Sequence, residues 1–243
     1  ARAPLLQDLD GEMPGLAWDL LPMDRYRAHN WQVGFAGVRS SYASIYTTVG
    51  CPFTCRFCMI NTVFDSGKTQ MGYKAERNSY RYWSPDAVIA QIDTLVTKYG
   101  VQTLKLADEM FVLTPKHVEG ICDRIIERGY DLNIWAYARV DTAKDRMLER
   151  MAQAGVKWLA YGLEAAAERV RNDVQKGYDQ EDIFDTVART QKAGIHVLGN
   201  YIFGLPEDDR STMQQTLDLA TELNSPHVNL YVCQCYPGSA LYD

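Results

Sequence analysis

Three cysteines, Cys51, Cys55 and Cys58, lie close together in the chain with the spacing C-x-x-x-C-x-x-C. Cysteine thiolates bind zinc and iron–sulfur clusters, whereas in an oxidising compartment cysteines pair as disulfides. The spacing therefore allows three interpretations: a metal centre, the start of a disulfide framework, or chance clustering in a buried loop.

The other cysteines favour a metal centre of the iron–sulfur type. Six cysteines in 243 residues do not make a disulfide scaffold, and no secretory signal is visible. Structural zinc usually takes two C-x-x-C-like pairs, but Cys233 and Cys235 are spaced C-x-C with no His after them. Cys122 lies on the apolar face of a predicted helix, where it packs as a small hydrophobe. Three thiolates with an open fourth position suit a [4Fe–4S] cluster.

The elements that must position these cysteines alternate between strands and helices. Residues 43–49 are β-branched and aromatic, which predicts a strand, and the cysteines follow in a long loop. Ser84 as N-cap, Pro85 at the first helical position and Gly100 past the end predict a helix over 84–99. Further strands are predicted at 101–107, 132–138, 157–163, 196–204 and 227–234, with helices at 115–128, 142–154, 165–193 (broken near Gly177) and 211–224.

Six strand–helix units in succession indicate an α/β fold with a parallel sheet, because each strand is a nearly continuous apolar run. Right-handed crossovers between neighbours curl such a sheet into a barrel or part of one. An open doubly wound sheet is the alternative, but it usually has a Gly-rich turn where this chain has the cysteine loop. We expect a partial (β/α)6 barrel over 44–243 and an irregular arm over 1–43. The cysteines should lie at the mouth formed by the strand C-termini.

The composition excludes some classes of protein. The formal net charge is −6 without a Lys/Arg run, so there is no strong nucleic-acid signal. No apolar stretch approaches the length of a membrane span, and we expect a cytoplasmic protein. The chain opens on Ala1 rather than Met, and we expect it to be part of a longer protein.

The cysteine motif in this setting resembles that of the radical S-adenosylmethionine (SAM) superfamily. The family pattern is C-x-x-x-C-x-aromatic-C after the first strand of a βα barrel, with Phe57 as the aromatic residue here. The resemblance implies a [4Fe–4S] cluster on Cys51, Cys55 and Cys58 whose open iron binds the amino and carboxylate groups of SAM. An electron from the cluster splits SAM to a 5′-deoxyadenosyl radical, while the protein orients the reactants and excludes water.

The resemblance also implies SAM-binding residues at strand ends. After the second strand the family places small or acidic residues ending in Glu; the run LADEMF offers Glu109, with Asp108 beside it, for the SAM amino group. After the fourth strand, Glu164 matches the polar residue that reaches the ribose or amino acid part of SAM. Lys176 matches the cation that pairs with the SAM carboxylate. The Ser and Gly of the usual G-x-E-S-G motif are alanines here.

The fifth strand, GNYIFGLPED, contains the family's loose I-x-G-x-x-E pattern. Ile202 would pack on the adenine, Gly204 would allow close backbone approach, and Glu207 completes the pattern. Asn200 is placed to reach the ribose hydroxyls.

Arg139, at the end of the third strand, has two open interpretations. It either binds the SAM carboxylate or a substrate anion, or it pairs with Glu109 or Asp108 as part of the structure. Asp141 is predicted to cap the following helix.

The arm LAWDLLPMDRYR and the runs LADEMF and PGSALYD resemble the radical SAM branch whose members carry a cobalamin domain. That branch includes methyltransferases, ring-contracting enzymes and a tetrapyrrole cyclase. The cobalamin signature D-x-H-x-x-G does not occur in the chain. A cobalamin-independent enzyme, methylthiotransferase-like or peptide-modifying, is the alternative within the family. A non-catalytic metal-binding or redox module is the alternative outside it.

The implied partners are a small-molecule or natural-product-like substrate and an electron donor of the flavodoxin or ferredoxin type. The substrate itself cannot be read from the residues. Aromatic residues that could line its site are Trp135, Tyr137, Tyr161, Tyr201 and Tyr231.

Overall fold

The computed structural model describes residues 5–6, 8–33, 39–60 and 78–242, which contain eight strands and seven α-helices. The strands are β1 Tyr42–Ile45, β2 Thr48–Gly50, β3 Tyr80–Tyr82, β4 Thr103–Leu106, β5 Asn133–Ala138, β6 Val156–Glu164, β7 His196–Phe203 and β8 His227–Val232. The helices are α1 Leu9–Glu12, α2 Pro85–Tyr99, α3 Pro115–Glu127, α4 Asp145–Gln153, α5 Glu168–Asp173, α6 Gln180–Lys192 and α7 Arg210–Leu223.

Six of these strands form one parallel sheet in the order β1-β4-β5-β6-β7-β8. Among these six strands, neighbours in the sheet follow one another along the chain, and each of the five connections contains a helix. Because β1 and β8 remain at opposite edges, the sheet is a partial barrel, and the predicted fold class is confirmed.

The helix signals in the sequence act as expected at α2. The Ser84 side chain accepts a hydrogen bond from the Ala87 N–H, and Gly100 ends the helix in the left-handed conformation.

The prediction that Asp141 caps the following helix was wrong. Asp141 lies in the 3₁₀ helix Val140–Thr142, and α4 begins later, with Lys144 at its N-cap position. Its carboxylate instead binds the guanidinium of Arg139.

The first predicted strand is two strands. β1 joins the parallel sheet, whereas β2 leaves it and pairs antiparallel with β3, a strand that the sequence pattern did not reveal. β2 carries the chain from the sheet edge to the cysteines. Gly50 ends β2 with φ +85°, and a side chain there would collide with the Ser79 carbonyl.

Alternate residues of the strands face two different environments. One face packs against the helices in the main core, through residues such as Ile45, Leu104, Ile134, Leu159 and Val197. The other faces the inside of the barrel, where Trp135, Ala160 and Leu198 form a separate buried cluster.

The predicted arm is irregular, as expected, with α1, three 3₁₀ helices and a bridge between Arg27 and Ser41. Residues 1–4, 7 and 34–38 of it lie outside the described residues. Trp18 and Met23 pack into the main core, while Leu16 and Leu20 remain exposed. Trp31 enters the bottom of the barrel, stacked on His227.

Candidate active site

A cavity of about 240 Å³ lies at the C-terminal end of the sheet, where the cysteine turn meets the ends of β4 to β7. It brings together nine of the twelve residues predicted for the site. They are Cys51, Cys55, Phe57, Cys58, Glu109, Arg139, Glu164, Lys176 and Asn200.

The three cysteines line this cavity as free thiols in a tight turn after β2. The Cys58 N–H donates to the Cys55 carbonyl at 3.0 Å. Burial raises the pKa of the Cys51 thiol to about 11 and also raises the pKa of Cys58. A bound metal reverses this effect, because a coordinating thiol is deprotonated outright.

The cysteine turn is tied to the loop that carries Lys176. Arg56 donates its backbone N–H to the Val174 carbonyl and its guanidinium to the Asp173 carboxylate at 2.6 Å. Thr54 donates to Gln175. These bonds hold two segments that are distant in sequence on opposite walls of one cavity.

Asp108 does not line the cavity. It is fully buried, and its carboxylate accepts hydrogen bonds from the Thr47 and Thr48 N–H groups and the Thr47 hydroxyl. Burial raises its pKa to about 6. The side chain therefore fixes the start of β2, and through β2 the position of Cys51, rather than facing a ligand.

Glu109, the next residue, does face the cavity. Its Oε2 atom is buried and has no hydrogen-bond partner among the residues that the structure describes. Burial raises the pKa of this carboxyl group. Because buried polar atoms are nearly always paired in native proteins, this oxygen is a candidate acceptor for a ligand.

Glu164 and Lys176 form a buried ion pair at 2.8 Å, with each side chain 7% exposed. Burial alone lowers the pKa of Lys176, but the Glu164 carboxylate outweighs it and the pKa is raised overall. Glu164 has φ +59°, a conformation that is costly for a residue with a side chain and is concentrated at functional sites. A side chain at Gly162 would meet the Glu164 carboxylate and the Lys176 ammonium, so the pair would have to shift to admit it.

Arg139 has neither of the structural partners expected for it. Its guanidinium forms a bidentate pair with Asp141 at 2.9 and 3.0 Å and lies over the ring of Phe53. One nitrogen also lies 3.5 Å from the Cys55 sulfur. Arg139 therefore lies on the cysteine side of the cavity.

The three residues predicted on or just after β7 lie in different parts of the structure. Asn200 lines the cavity, donates to the Tyr161 carbonyl and accepts from Asn229. Ile202 packs with Phe57 in a small separate cluster and lines a neighbouring cavity. Gly204 has φ +80° in an exposed turn capped by Asp208, and it does not line the main cavity.

Several residues of the site carry no sequence signal of their own. Tyr178 donates to the Gly162 carbonyl at 2.6 Å, beside the ion pair. Arg171 is fully buried and donates to the carbonyls of Ala165, Ala166 and Tyr178, which closes the loop leading to Lys176. An arginine in a predicted helix is expected on the surface, so only the structure reveals that Arg171 is buried and closes this loop.

The aromatic residues predicted to line the substrate site lie on different faces of the sheet. Tyr137 lines the cavity, whereas Tyr161 bonds Thr190 of α6 and Tyr201 is buried in the main core. Trp135 lies inside the barrel below the cavity, and Tyr231 is half exposed on β8.

Residues 45–220 match the radical SAM superfamily. The chain belongs to this superfamily. Its match runs from β1 through α7 and includes the cysteine turn, Glu109 and the Glu164–Lys176 pair. The resemblance that the cysteine spacing suggested is therefore confirmed at the level of the superfamily.

Curated relatives match nearly the whole chain. An uncharacterised methyltransferase of Pyrococcus horikoshii is 30% identical over 99% of this chain and 48% of its own length. An anaerobic magnesium-protoporphyrin IX monomethyl ester cyclase of Cereibacter sphaeroides is 26% identical over 100% of this chain and 37% of its own. The chain thus spans half or less of the length of these relatives.

A solved structure supports the same fold. The radical SAM methyltransferase TsrM of Kitasatospora setae, determined with cobalamin and a [4Fe–4S] cluster bound, aligns with a TM-score of 0.70 and 18% identity. The alignment covers 83% of this chain and 36% of TsrM. No helix among the described residues is long and apolar enough to span a membrane.

Proposed function

We propose that this chain is the catalytic core of a radical SAM enzyme, with Cys51, Cys55 and Cys58 holding a [4Fe–4S] cluster at the barrel mouth. The observation that carries the proposal is the single cavity shared by three thiols, an unpartnered carboxylate oxygen and a buried ion pair. When bound and reduced, the cluster supplies the electron that cleaves SAM to the 5′-deoxyadenosyl radical.

The donor set fits such a cluster. No three His, Cys, Asp or Glu side chains among the described residues surround a position for a single metal ion. A cubane does not need that arrangement, because each thiolate binds a different iron. Three protein thiolates would leave one iron open to the amino and carboxylate groups of SAM.

The protein's own residues would bind and orient SAM. The Glu109 carboxylate would accept a hydrogen bond from the N–H of the SAM amino group, which satisfies its unpartnered oxygen. Lys176 is the cation that pairs with the SAM carboxylate. Arg139, whose guanidinium also lies on the cavity wall, is the alternative partner. Asn200 and Glu164 are available for the ribose. Asp108, Ile202 and Gly204 lie outside this cavity, and we assign them supporting roles.

We expect Glu109→Gln to weaken SAM binding while the iron content stays unchanged. Loss of one charge-assisted hydrogen bond between the Glu109 carboxylate and the SAM amino group costs about 1.5–3 kcal/mol, or roughly tenfold or more in affinity. Equilibrium dialysis of SAM against the reconstituted protein measures the change. Glu127→Gln, on the exposed end of α3, is the matched control. Equal SAM affinity in the Glu109 variant and the wild type would remove Glu109 from the site.

For the longer protein we propose methyl transfer assisted by cobalamin, with a small-molecule substrate and a flavodoxin- or ferredoxin-type electron donor in the cytoplasm. The support is the methyltransferase relative and the likeness to cobalamin-bound TsrM. The exposed apolar residues of the arm, including Leu16, Leu20 and Leu21, are consistent with a missing neighbour.

Cobalamin should therefore co-purify with the full-length protein and not with this chain. All six parallel strands here belong to the barrel, and corrinoid binding needs a separate βα domain. The test is to express both forms with hydroxocobalamin and measure bound corrinoid by its absorbance. A corrinoid-free full-length protein would favour the cobalamin-independent alternative and leave the cluster and SAM assignments in place.

A further inference from the structure

The inner face of the sheet carries a lysine below the active-site cavity. In β4, Leu104 and Leu106 pack in the main core, so alternation places Lys105 on the inner face. Its Nζ atom lies 4.5 Å from the ring centre of Trp135 and 5.3 Å from that of Tyr137. Because Tyr137 also lines the cavity, the ammonium lies one aromatic ring away from the proposed reacting centre.

No carboxylate compensates this charge in the part of the chain that the structure describes. None of the ion pairs found there includes Lys105. Glu164, the acid at the C-terminal end of β6, is already paired with Lys176. Burial lowers the pKa of Lys105, and no acidic neighbour opposes that effect. The two ring faces attract the cation, but its three N–H donors need acceptors that a ring supplies poorly.

The inner face of the sheet also carries neutral hydrogen-bonding groups and aromatic rings, beside the charged cavity residues Glu109, Arg139, Glu164 and Lys176. Asn200 and Asn229 bond to each other at 2.9 Å, and Asn200 also lines the cavity. The Tyr137 phenol is close enough to Tyr42, Tyr46 and Tyr231 for their charges to influence its pKa, which burial raises first. An ammonium held against two aromatic rings is complementary to a flat organic anion.

We propose that Lys105 binds an oxyanion, a carboxylate or a phosphate, on a flat and largely unsaturated substrate of this enzyme. The proposal rests on the proposed function, which identifies the neighbouring cavity as the SAM and cluster site. The anionic end lies on Lys105 inside the barrel, and the body of the substrate extends along Tyr137 toward the cavity. A carbon at the far end is then presented to the radical.

The test uses the reconstituted chain with SAM and three probes of one shape: benzoate, phenyl phosphate and the neutral benzamide. Isothermal titration calorimetry should show at least one anion binding tenfold or more tightly than benzamide. Lys105→Met should weaken that binding at least fivefold, and Lys105→Arg should retain it. Lys98→Met is the matched control, since Lys98 also lies over a tyrosine ring but is exposed on α2. The preferred anion distinguishes carboxylate from phosphate.

A second measurement needs no variant. The bound anion should slow acetylation of Lys105 by acetic anhydride several-fold, as measured by mass spectrometry, and leave Lys98 unaffected. Equal anion binding in wild type and Lys105→Met, equal binding of benzamide, or unprotected Lys105 would each overturn the proposal. Cleavage of SAM to 5′-deoxyadenosine without anion binding would overturn this inference alone. Anion binding without SAM cleavage would instead count against the proposed function.

Discussion

Replacing Cys51, Cys55 or Cys58 with Ala should abolish the iron–sulfur cluster. The wild-type chain, reconstituted anaerobically with iron and sulfide, should hold about four irons, because three thiolates and one exchangeable site define a cubane. Each of the three thiols lines the same cavity, and no other cysteine lines it. Two remaining thiolates leave two irons without protein ligands, so the cluster should be lost rather than weakened.

Iron and sulfide assays together with the visible absorbance of the cluster measure this loss. Cys122→Ala is the control, because Cys122 is buried in α3 among core residues and its removal should leave the iron content unchanged. Tightly bound zinc with no iron–sulfur absorbance in the wild type would contradict the assignment. Full iron content in any of the three variants would do the same for that cysteine.

Breaking the Glu164–Lys176 pair should destabilise the protein and weaken SAM binding together. Either Glu164→Gln or Lys176→Met leaves one buried charge without its partner, which typically costs about 3–5 kcal/mol. The same charges face the cavity, so SAM affinity should fall in both variants. Thermal or chemical unfolding measures the stability, and SAM dialysis measures the affinity.

The double variant Glu164→Gln with Lys176→Met separates the two effects. With both charges gone, stability should largely return, because no unpaired charge remains buried. SAM affinity should stay low, because the SAM carboxylate has lost Lys176 and the ribose has lost Glu164. Recovery of SAM binding in the double variant would show that the pair is structural. Wild-type stability in the single variants would show that the pair is not buried in solution.

Local signals in the chain were sufficient to predict the alternating strands and helices and the fold class. Ser84, Pro85 and Gly100 act through neighbouring backbone groups, so their effect on α2 could be predicted from sequence. The same holds for the cysteine spacing, because a tight turn brings Cys51, Cys55 and Cys58 close together.

Contacts that depend on the exact path of the folded chain could not be predicted in this way. Asp108 and Glu109 are adjacent acids, and only the path of β2 decides that one binds backbone and the other faces the cavity. Arg139 pairs with Asp141 because the chain turns into a 3₁₀ helix before α4. The sequence around Arg171 does not indicate that it is buried. Its three carbonyl partners come together only in the folded loop.

The most direct test of the radical SAM assignment is the formation of 5′-deoxyadenosine by the reconstituted chain. The protein is incubated anaerobically with SAM and dithionite, and the product is measured by liquid chromatography and mass spectrometry. We expect 5′-deoxyadenosine and methionine in equal amounts, and neither from the Cys55→Ala variant. A chain that holds four irons and binds SAM but forms no 5′-deoxyadenosine under these conditions would contradict the account.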